Sequence, residues 1–394
     1  MDRHKAHWQP PKQSLAMYVH VPFCASRCVY CDFTISLNKH GGHQAYEEAL
    51  SQELEYRLAQ LPKGYYQSIH SVYFGGGTPS LMPARWFASV LERLNHAIPM
   101  AAHCEITLEA NPNAVVDAPA DYLAAGLNRV SIGTQSFNAN ELKALSRNHS
   151  AEDAIATVQA FQQAGFQRVS LDLMYGIPQQ TVASWNHSLQ HALALDVGHI
   201  SLYGLQLETG TPLERLIQTG APRYALPDED TTADAYELAQ ETLANAGLPL
   251  YEISNASIIG EESRHNLTYW QWGHWLALGP GAHGHSQRLE GPVQTENADT
   301  VEAWQANPTG GLVKPVSSQE ALENRLIFGL RTRWGIHVAQ VAEASTLNEK
   351  LLLSRLNPLL KKHSTALRLE EGWLRLVPQY WATSNQVLQD VMGL

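Results

Sequence analysis

Cysteine is scarce in this chain, with four in 394 residues, at positions 24, 28, 31 and 104. So few, with no secretory signal in view, argue against a disulfide framework and for a reducing compartment. Long apolar runs are missing too, since none reaches the roughly 18 residues that span a bilayer. The opening Met1-Asp-Arg-His-Lys-Ala-His-Trp-Gln-Pro10 lacks the apolar core of a signal peptide. A cytoplasmic protein with no membrane span is the expectation. Basic charge is deficient as well: 27 Lys and Arg stand against 38 Asp and Glu, a formal charge of -11. Nucleic-acid phosphates reward a basic face, so a nucleic-acid partner is not expected. Only 16% of residues are charged while 44% are hydrophobic, which suits a large buried core. No fixed-period repeat or low-complexity tract is present.

What the chain does have is three of its cysteines within eight residues. The stretch Tyr18-Val-His-Val-Pro-Phe-Cys24-Ala-Ser-Arg-Cys28-Val-Tyr-Cys31-Asp-Phe33 is a strand-like apolar run that empties into Cys24, Cys28 and Cys31. Thiolates at this spacing can bend around one iron-sulfur cluster, and a cube of four irons with three protein thiolates leaves one iron open to another ligand. Structural zinc wants four ligands, usually in paired units. Cys104 is the one cysteine left for it, so zinc would need a distant histidine. Cys104 itself, inside the apolar run from 104 to 109, reads as a small buried hydrophobe.

Six short β-branched or aromatic runs follow a polar lead, at 17–21, 71–74, 105–109, 129–133, 168–173 and 199–205. Segments of helical period lie among them, at 44–61, 85–96, 151–164 and 185–195. Alternating strand and helix means a parallel sheet with crossover helices. Six units predict an α/β fold, a partial (β/α)6 TIM-like barrel. In such barrels chemistry gathers where strands end. Gly75-Gly-Gly77-Thr78-Pro79, Glu109-Ala-Asn-Pro112, Gln135-Ser-Phe137 and Asp172-Leu-Met-Tyr175 all stand there. The glycines permit close backbone approach, carboxylates suit hydroxyls, and Arg147 suits a carboxylate. After about residue 208 the alternation stops. A helical stretch at 233–246 leads to Arg264-His265-Asn266-Leu-Thr-Tyr269-Trp270, then to Gly-rich text containing His283 and His285. From 317 a helix at 320–330, a hairpin at 366–377 and a last helix from 384 predict a small C-terminal α+β accessory domain, winged-helix-like.

The CxxxCxxC spacing resembles the signature of the radical S-adenosylmethionine (SAM) family. The segments at 18–24, 75–79, 133–137 and 172–178 are similar to those of its oxygen-independent coproporphyrinogen III oxidase group. That resemblance implies Cys24, Cys28 and Cys31 as ligands of a 4Fe-4S cluster whose open iron binds SAM. It implies Tyr18, Tyr30, Gly77, Thr78, Glu109, Gln135, Arg147 and Asp172 around SAM, with Gln206 and His283 as further candidates. Two features separate branches of the group. The oxidase pattern continues after the third cysteine with Gly-Cys, where this chain has Asp32-Phe33. Residues 265–270 match the HNxxYW motif of a heme-chaperone branch. Taken alone, the motif reads as a hydrogen-bonded loop with core aromatics. The resemblance turns it toward heme, with His265 as axial ligand and Tyr269 and Trp270 over the macrocycle. His274, His283 and His285 compete for that role, and His20 reads as a barrel-interior hydrogen-bonding residue. The expected domains are a lead (1–16), a core barrel (17–230), a linker and heme-motif region (231–316) and the accessory domain (317–394). The expectation is a heme-binding protein that hands heme to acceptors such as respiratory cytochromes, through peripheral contact where they are membrane-bound, and no residue is assigned as catalytic. The alternatives are an anaerobic coproporphyrinogen III decarboxylase and a structural iron-sulfur or zinc protein without SAM.

Overall fold

The computed structural model describes residues 8–37 and 42–392; residues 1–7 of the expected lead lie outside the described residues. Six βα units lead the chain. The strands are β1 (Ser14–Val21), β2 (Ser68–Gly76), β3 (Met100–Ala110), β4 (Arg129–Gln135), β5 (Arg168–Tyr175) and β6 (His199–Gly204). They pair in parallel in sequence order, as crossover units must. The helices through this region are α1 (Gly42–Ala59), α2 (Ala84–Ala97), α3 (Pro119–Ala124), α4 (Ala139–Ala144), α5 (Ala151–Gln163), α6 (Val182–Ala194), α7 (Pro212–Gln218) and α8 (Glu229–Asn245). The result is a partial (β/α)6 barrel.

The outer face of the sheet is apolar. In β1 it carries Met17, Val19 and Val21, and in β2 Val72 and Phe74, all fully buried under the helices. Phe74 meets Phe87 of α2 edge-on at 4.8 Å. Each such side chain contributes roughly 1.5–3 kcal/mol on burial. The inner face alternates with it at period two and is polar: Tyr18 and His20 on β1, Ser71 and Tyr73 on β2, Glu105 and Glu109 on β3, Ser131 on β4, Asp172 on β5. Hydrogen bonds across the lumen show this, Tyr73 Oη donating to Glu109 Oε1 at 2.7 Å and Ser131 Oγ to Asp172 Oδ1 at 2.9 Å. A barrel filled only for stability would carry branched aliphatics there.

Residues 231–316, expected as a linker and heme-motif region, contribute β-strands to the same sheet. Its α8 is the helix that covers the sixth unit, with Trp185 Nε1 of α6 donating to the Ala235 carbonyl at 2.7 Å. A long loop containing α7 merely delays it. Beyond come β7 (Leu250–Glu252), β8 (Asn255–Ser257), α9 (Arg264–Trp270), β9 (Trp275–Leu278), β10 (His283–Arg288), β11 (Gly291–Glu296), α10 (Val301–Ala306) and β12 (Leu312–Pro315). β8 adds antiparallel to β6, while β9 adds parallel to β1 and carries β10, β11 and β12 outward, giving twelve strands in one sheet. Among the described residues no strand joins the two ends, so the barrel stays open.

The C-terminal part packs α11 (Ser318–Gly329), α12 (Val338–Ala344), α13 (Glu349–Lys362) and α14 (Ser384–Val391) with a three-stranded sheet of β13 (Ile336–His337), β14 (Leu367–Glu370) and β15 (Trp373–Leu376). It is tied to the barrel through Ile253 N to the Arg331 carbonyl at 3.1 Å and Arg333 N to the Tyr251 carbonyl at 3.0 Å.

Helix α9 closes the lower, N-terminal end of the barrel, and one carboxylate holds it there. Glu105 accepts from the backbone amides of Arg264 at 3.0 Å and His265 at 2.9 Å, and pairs with Arg168. Burial alone would push its pKa up; Arg168, Arg129 and the two amides more than offset that and hold it at about 2. Because the folded value lies below the unfolded one, this stability is present above about pH 4.5 and lost as pH falls through about 2. Glu105→Gln takes the carboxylate away from buried Arg129, while Arg168 keeps Glu261 at 3.0 Å, and should destabilise the fold by about 3–5 kcal/mol in denaturant unfolding. A loss under about 1 kcal/mol would mean that α9 is held by packing alone.

Candidate functional site

The upper rim is built around the loop that leaves β1. Its ends are tied by Ser36 N to the Pro22 carbonyl at 2.7 Å and Cys24 N to the Ser36 carbonyl at 3.0 Å. The glycine run after β2 lies against it, Gly77 N bonding the Val21 carbonyl at 2.8 Å and Thr78 N the Phe23 carbonyl at 2.7 Å. A Cβ at Gly77 would sit 2.7 Å from the Phe23 carbonyl oxygen, and one at Gly76, where φ is +107°, would strike the His20 ring. Only glycine allows both approaches.

Cys24, Cys28 and Cys31 are free thiols, half-buried in this loop. Thr78 Oγ1 lies 3.6 Å from Cys24 Sγ and Arg147 Nη1 lies 3.4 Å from Cys28 Sγ. Burial pushes Cys24 up to about 11 and raises Cys31 as well. Both thiols are therefore protonated at neutral pH, and a cationic centre that turns them into ligands must release their protons. Among the described residues, no three His, Cys, Asp or Glu side chains converge as a single metal ion requires. A multi-iron cube accepts thiolates spread more widely.

Next to the thiols, Arg147 Nη2 donates to Asn111 Oδ1 and to the Gly133 carbonyl at 2.7 Å. Its Nε is buried with no hydrogen-bond partner, so this guanidinium has donor capacity left for an anion. Asn111 also reaches Thr78 Oγ1 at 2.9 Å, tying two loops. Burial raises Tyr30 beside Arg147. Gln135 sits in the left-handed region at φ +64°, its amide close to Gly133. Deeper in the lumen, Glu109 accepts from Tyr73 and from the Gly76 amide at 3.0 Å. Burial raises it to about 7, with Tyr73 resisting and Asp172 adding repulsion. Burial raises Asp172 too, against hydrogen bonds from Ser201 and Ser131. Tyr18 stands at the same level, its hydroxyl 3.0 Å from His20 Nδ1. His20 is the interior hydrogen-bonding residue its position suggested, with Nε2 2.8 Å from the Thr34 carbonyl.

Tyr18, Tyr30, Gly77, Thr78, Glu109, Gln135, Arg147 and Asp172 thus share one rim and lumen with the three cysteines. Gln206 and His283 are exposed, Gln206 two residues beyond the C-terminal end of β6 and His283 at the start of β10. Sequence reading passed over Asn111 and Tyr73. The period-two face shared by Ser71, Tyr73 and Gly75 would have flagged the second.

His265 lies in a helix, not in a loop. Ser263 caps α9 by accepting from Asn266 N at 3.3 Å, and the four-residue spacing puts His265 and Tyr269 on one face. The ring is 1% exposed and stacks on Tyr73 at 5.1 Å. Its Nδ1 is 3.0 Å from Ser71 Oγ and its Nε2 is 2.6 Å from Tyr269 Oη. Both nitrogens are engaged inside the barrel, so an imidazole offered from an open loop is not what the structure contains. His285 is buried, and His274 beside it is half-buried.

A profile described as the Radical SAM superfamily matches residues 18–192. "Radical S-adenosyl methionine domain-containing protein 1, mitochondrial" of Bos taurus is 41% identical over 339 residues, 83% of this chain and 75% of that protein. The heme chaperone HemW of Mycobacterium tuberculosis is 36% identical over 369 residues, 91% of this chain and 92% of that one. The chain belongs to the radical SAM superfamily. Within it, this radical SAM protein belongs with HemW. The solved Escherichia coli coproporphyrinogen III oxidase HemN superposes with a TM-score of 0.78 over 98% of this chain and 91% of that one, at 19% identity, which shows the shared fold.

Burial lowers His265 to about 3, with Glu105 opposing. Its ring resonances should therefore not titrate between about pH 8 and 5 in an NMR pH series. A midpoint inside that range would mean that the ring is released from Ser71 and Tyr269.

Proposed function

We propose that this protein binds heme and passes it to acceptor proteins, respiratory cytochromes among them, while carrying a 4Fe-4S cluster ligated by SAM. One observation carries the reading: the match to HemW over about nine-tenths of both chains. It is supported by Asp32-Phe33 after the third cysteine, where the oxidase resemblance expects Gly-Cys. The site of action we propose is the cytoplasm, with peripheral contact where an acceptor is membrane-bound. No helix among the described residues is long and apolar enough to cross a membrane.

The donor set on the rim fits the cofactors the family implies. Cys24, Cys28 and Cys31 would hold the cluster, and Arg147, whose Nε has no partner, would receive the carboxylate of SAM. Glu109, Gln135 and Asp172 would accept and donate around the nucleoside. When bound, the cluster supplies one electron to SAM at its open iron. Glu109 contributes a second feature, a carboxyl poised near neutrality by its burial. Below its pKa the group is neutral and loses its strength as an acceptor.

Anaerobic reconstitution with iron and sulfide, followed by heme and coproporphyrinogen in parallel, tests the function. Heme retention without decarboxylation is the expected result, and turnover of coproporphyrinogen would replace this reading with the decarboxylase. Ala at Cys24, Cys28 or Cys31 should abolish the brown charge-transfer absorbance, and Cys104→Ala should keep it; unchanged iron content in Cys28→Ala would sink the cluster assignment.

SAM affinity should weaken as pH falls from 8 to 6, since Glu109 takes up its proton near 7. Glu109→Gln should bind about 1–3 kcal/mol more weakly at pH 8 and show a flat profile. A wild-type profile that is already flat by calorimetry would remove Glu109 from the SAM contacts.

A further inference from the structure

We propose that the iron of a bound heme is ligated at the pair His274 and His285, on the flank of the barrel between β9, β10 and α11, and not at His265. The assignment rests on the heme-binding reading above and names the site for it. It begins from a tautomer. His285 Nδ1 lies 2.8 Å from the Gly273 carbonyl oxygen, which can only accept, so Nδ1 carries the proton and Nε2 bears the lone pair. That Nε2 is buried and has no hydrogen-bond partner. A ring held by a carbonyl at one nitrogen with a bare lone pair at the other is the arrangement of a metal-ligating histidine, the carbonyl fixing both tautomer and orientation. At His265, by contrast, both nitrogens already have partners.

The surroundings of His285 suit a planar metalloporphyrin that bears carboxylates. His274 lies edge-on to it at 5.2 Å between ring centroids and is half-buried, so it is the imidazole that solvent-borne heme meets first. Trp272 stacks on His285 at 4.4 Å and lies parallel to Phe328, 5.4 Å away with 10° between the planes. Its indole Nε1, which can only donate, is also buried without a partner. Half-exposed Trp275 and Phe328 extend these flat faces to the surface, and such faces stack on a macrocycle. Arg325 of α11 is half-buried, and its charge reaches both imidazoles. Its Nη1 donates to the Ala321 carbonyl at 3.2 Å, which leaves the rest of the fork for a propionate. Ligation is coordination alone: an imidazole lone pair enters a vacant or water-held position on ferric iron, the water leaves, and no electron moves.

The test is titration of the full-length protein with ferric heme, followed by Soret position and affinity. His274→Ala with His285→Ala should lose the imidazole-ligated Soret band and bind at least tenfold more weakly, while His265→Ala keeps the wild-type Soret position. Because His285 is buried, the half-buried His274→Ala and Arg325→Glu serve as variants that keep the fold. The first should shift the Soret band. The second should weaken binding at least threefold with the band unmoved. Wild-type Soret position and affinity in both of these, or a shifted Soret position for the heme that still binds to His265→Ala with the pair intact, overturns the assignment and leaves heme binding standing. A wild-type protein that gives no Soret shift overturns heme binding itself, and this site with it.

Discussion

Glu105 is fully buried at the lower end of the barrel and is nonetheless ionised. A lone carboxylate in that position would be driven neutral by desolvation. It stays charged because β4 and β5 bring Arg129 and Arg168 to it and because the first turn of α9 aims two amides at it. The same contacts decide where α9 sits, and α9 decides which end of the open barrel is closed. With the lower mouth plugged by His265, Leu267 and Thr268, all buried, the lumen is reached from the rim, where the cysteine loop and the glycine run stand.

One strand shows how far local surroundings set the chemistry. Glu105 and Glu109 lie on β3, four residues apart and on the same face, and both are buried. The first is held at about 2 and the second is raised to about 7. Glu105 has two guanidiniums and two backbone amides. Glu109 has a phenol, one amide and a repelling carboxylate across the lumen. The lower carboxylate is a structural anion, and the upper one is a group whose charge changes near neutrality. Stability is thus concentrated at the N-terminal face and reactivity at the C-terminal one, as parallel barrels in general divide them.

Much of this was legible in the sequence, for reasons that can be given element by element. The six strands announced themselves because each is buried on its outer face and separated from the next by a helix-length segment. The cysteine spacing is a local chemical requirement, so it survives translation into one dimension. What was hidden depends on pairing. The strands β7 to β12 are three to six residues long and broken by Gly and Pro, too short for a period to show, and they add to the sheet edges only once β1 and β6 exist. Asn111 gains its importance by lying between Thr78 and Arg147, which are far apart in the chain. Helix α9 has seven residues, and its one clear mark was the cap at Ser263, which the aromatic residues around it obscured. Gln206 and His283 came from resemblance alone, with no local pattern behind them, and both are exposed.

The place of the HNxxYW segment also changes how its variants must be read. Its rings form one contiguous run through the protein: Tyr18 on Tyr73 at 6.2 Å, Tyr73 on His265 at 5.1 Å, His265 on Tyr269 at 4.9 Å, Tyr269 on Trp275 at 4.7 Å, and Trp275 against His285 at 5.4 Å. One end of the run is the lumen below the cysteines and the other is the pair His274 and His285. A change at His265 removes hydrogen bonds to Ser71 and Tyr269 at the middle of it, and the buried hydroxyls left behind must find new partners or move. Both ends of the run can then shift without either having lost a ligand. Diminished heme binding in a His265 variant is accordingly what a scaffold residue and a ligand would both produce. The Soret position of the heme that still binds separates them, because it reports the atom on iron and not the packing around it.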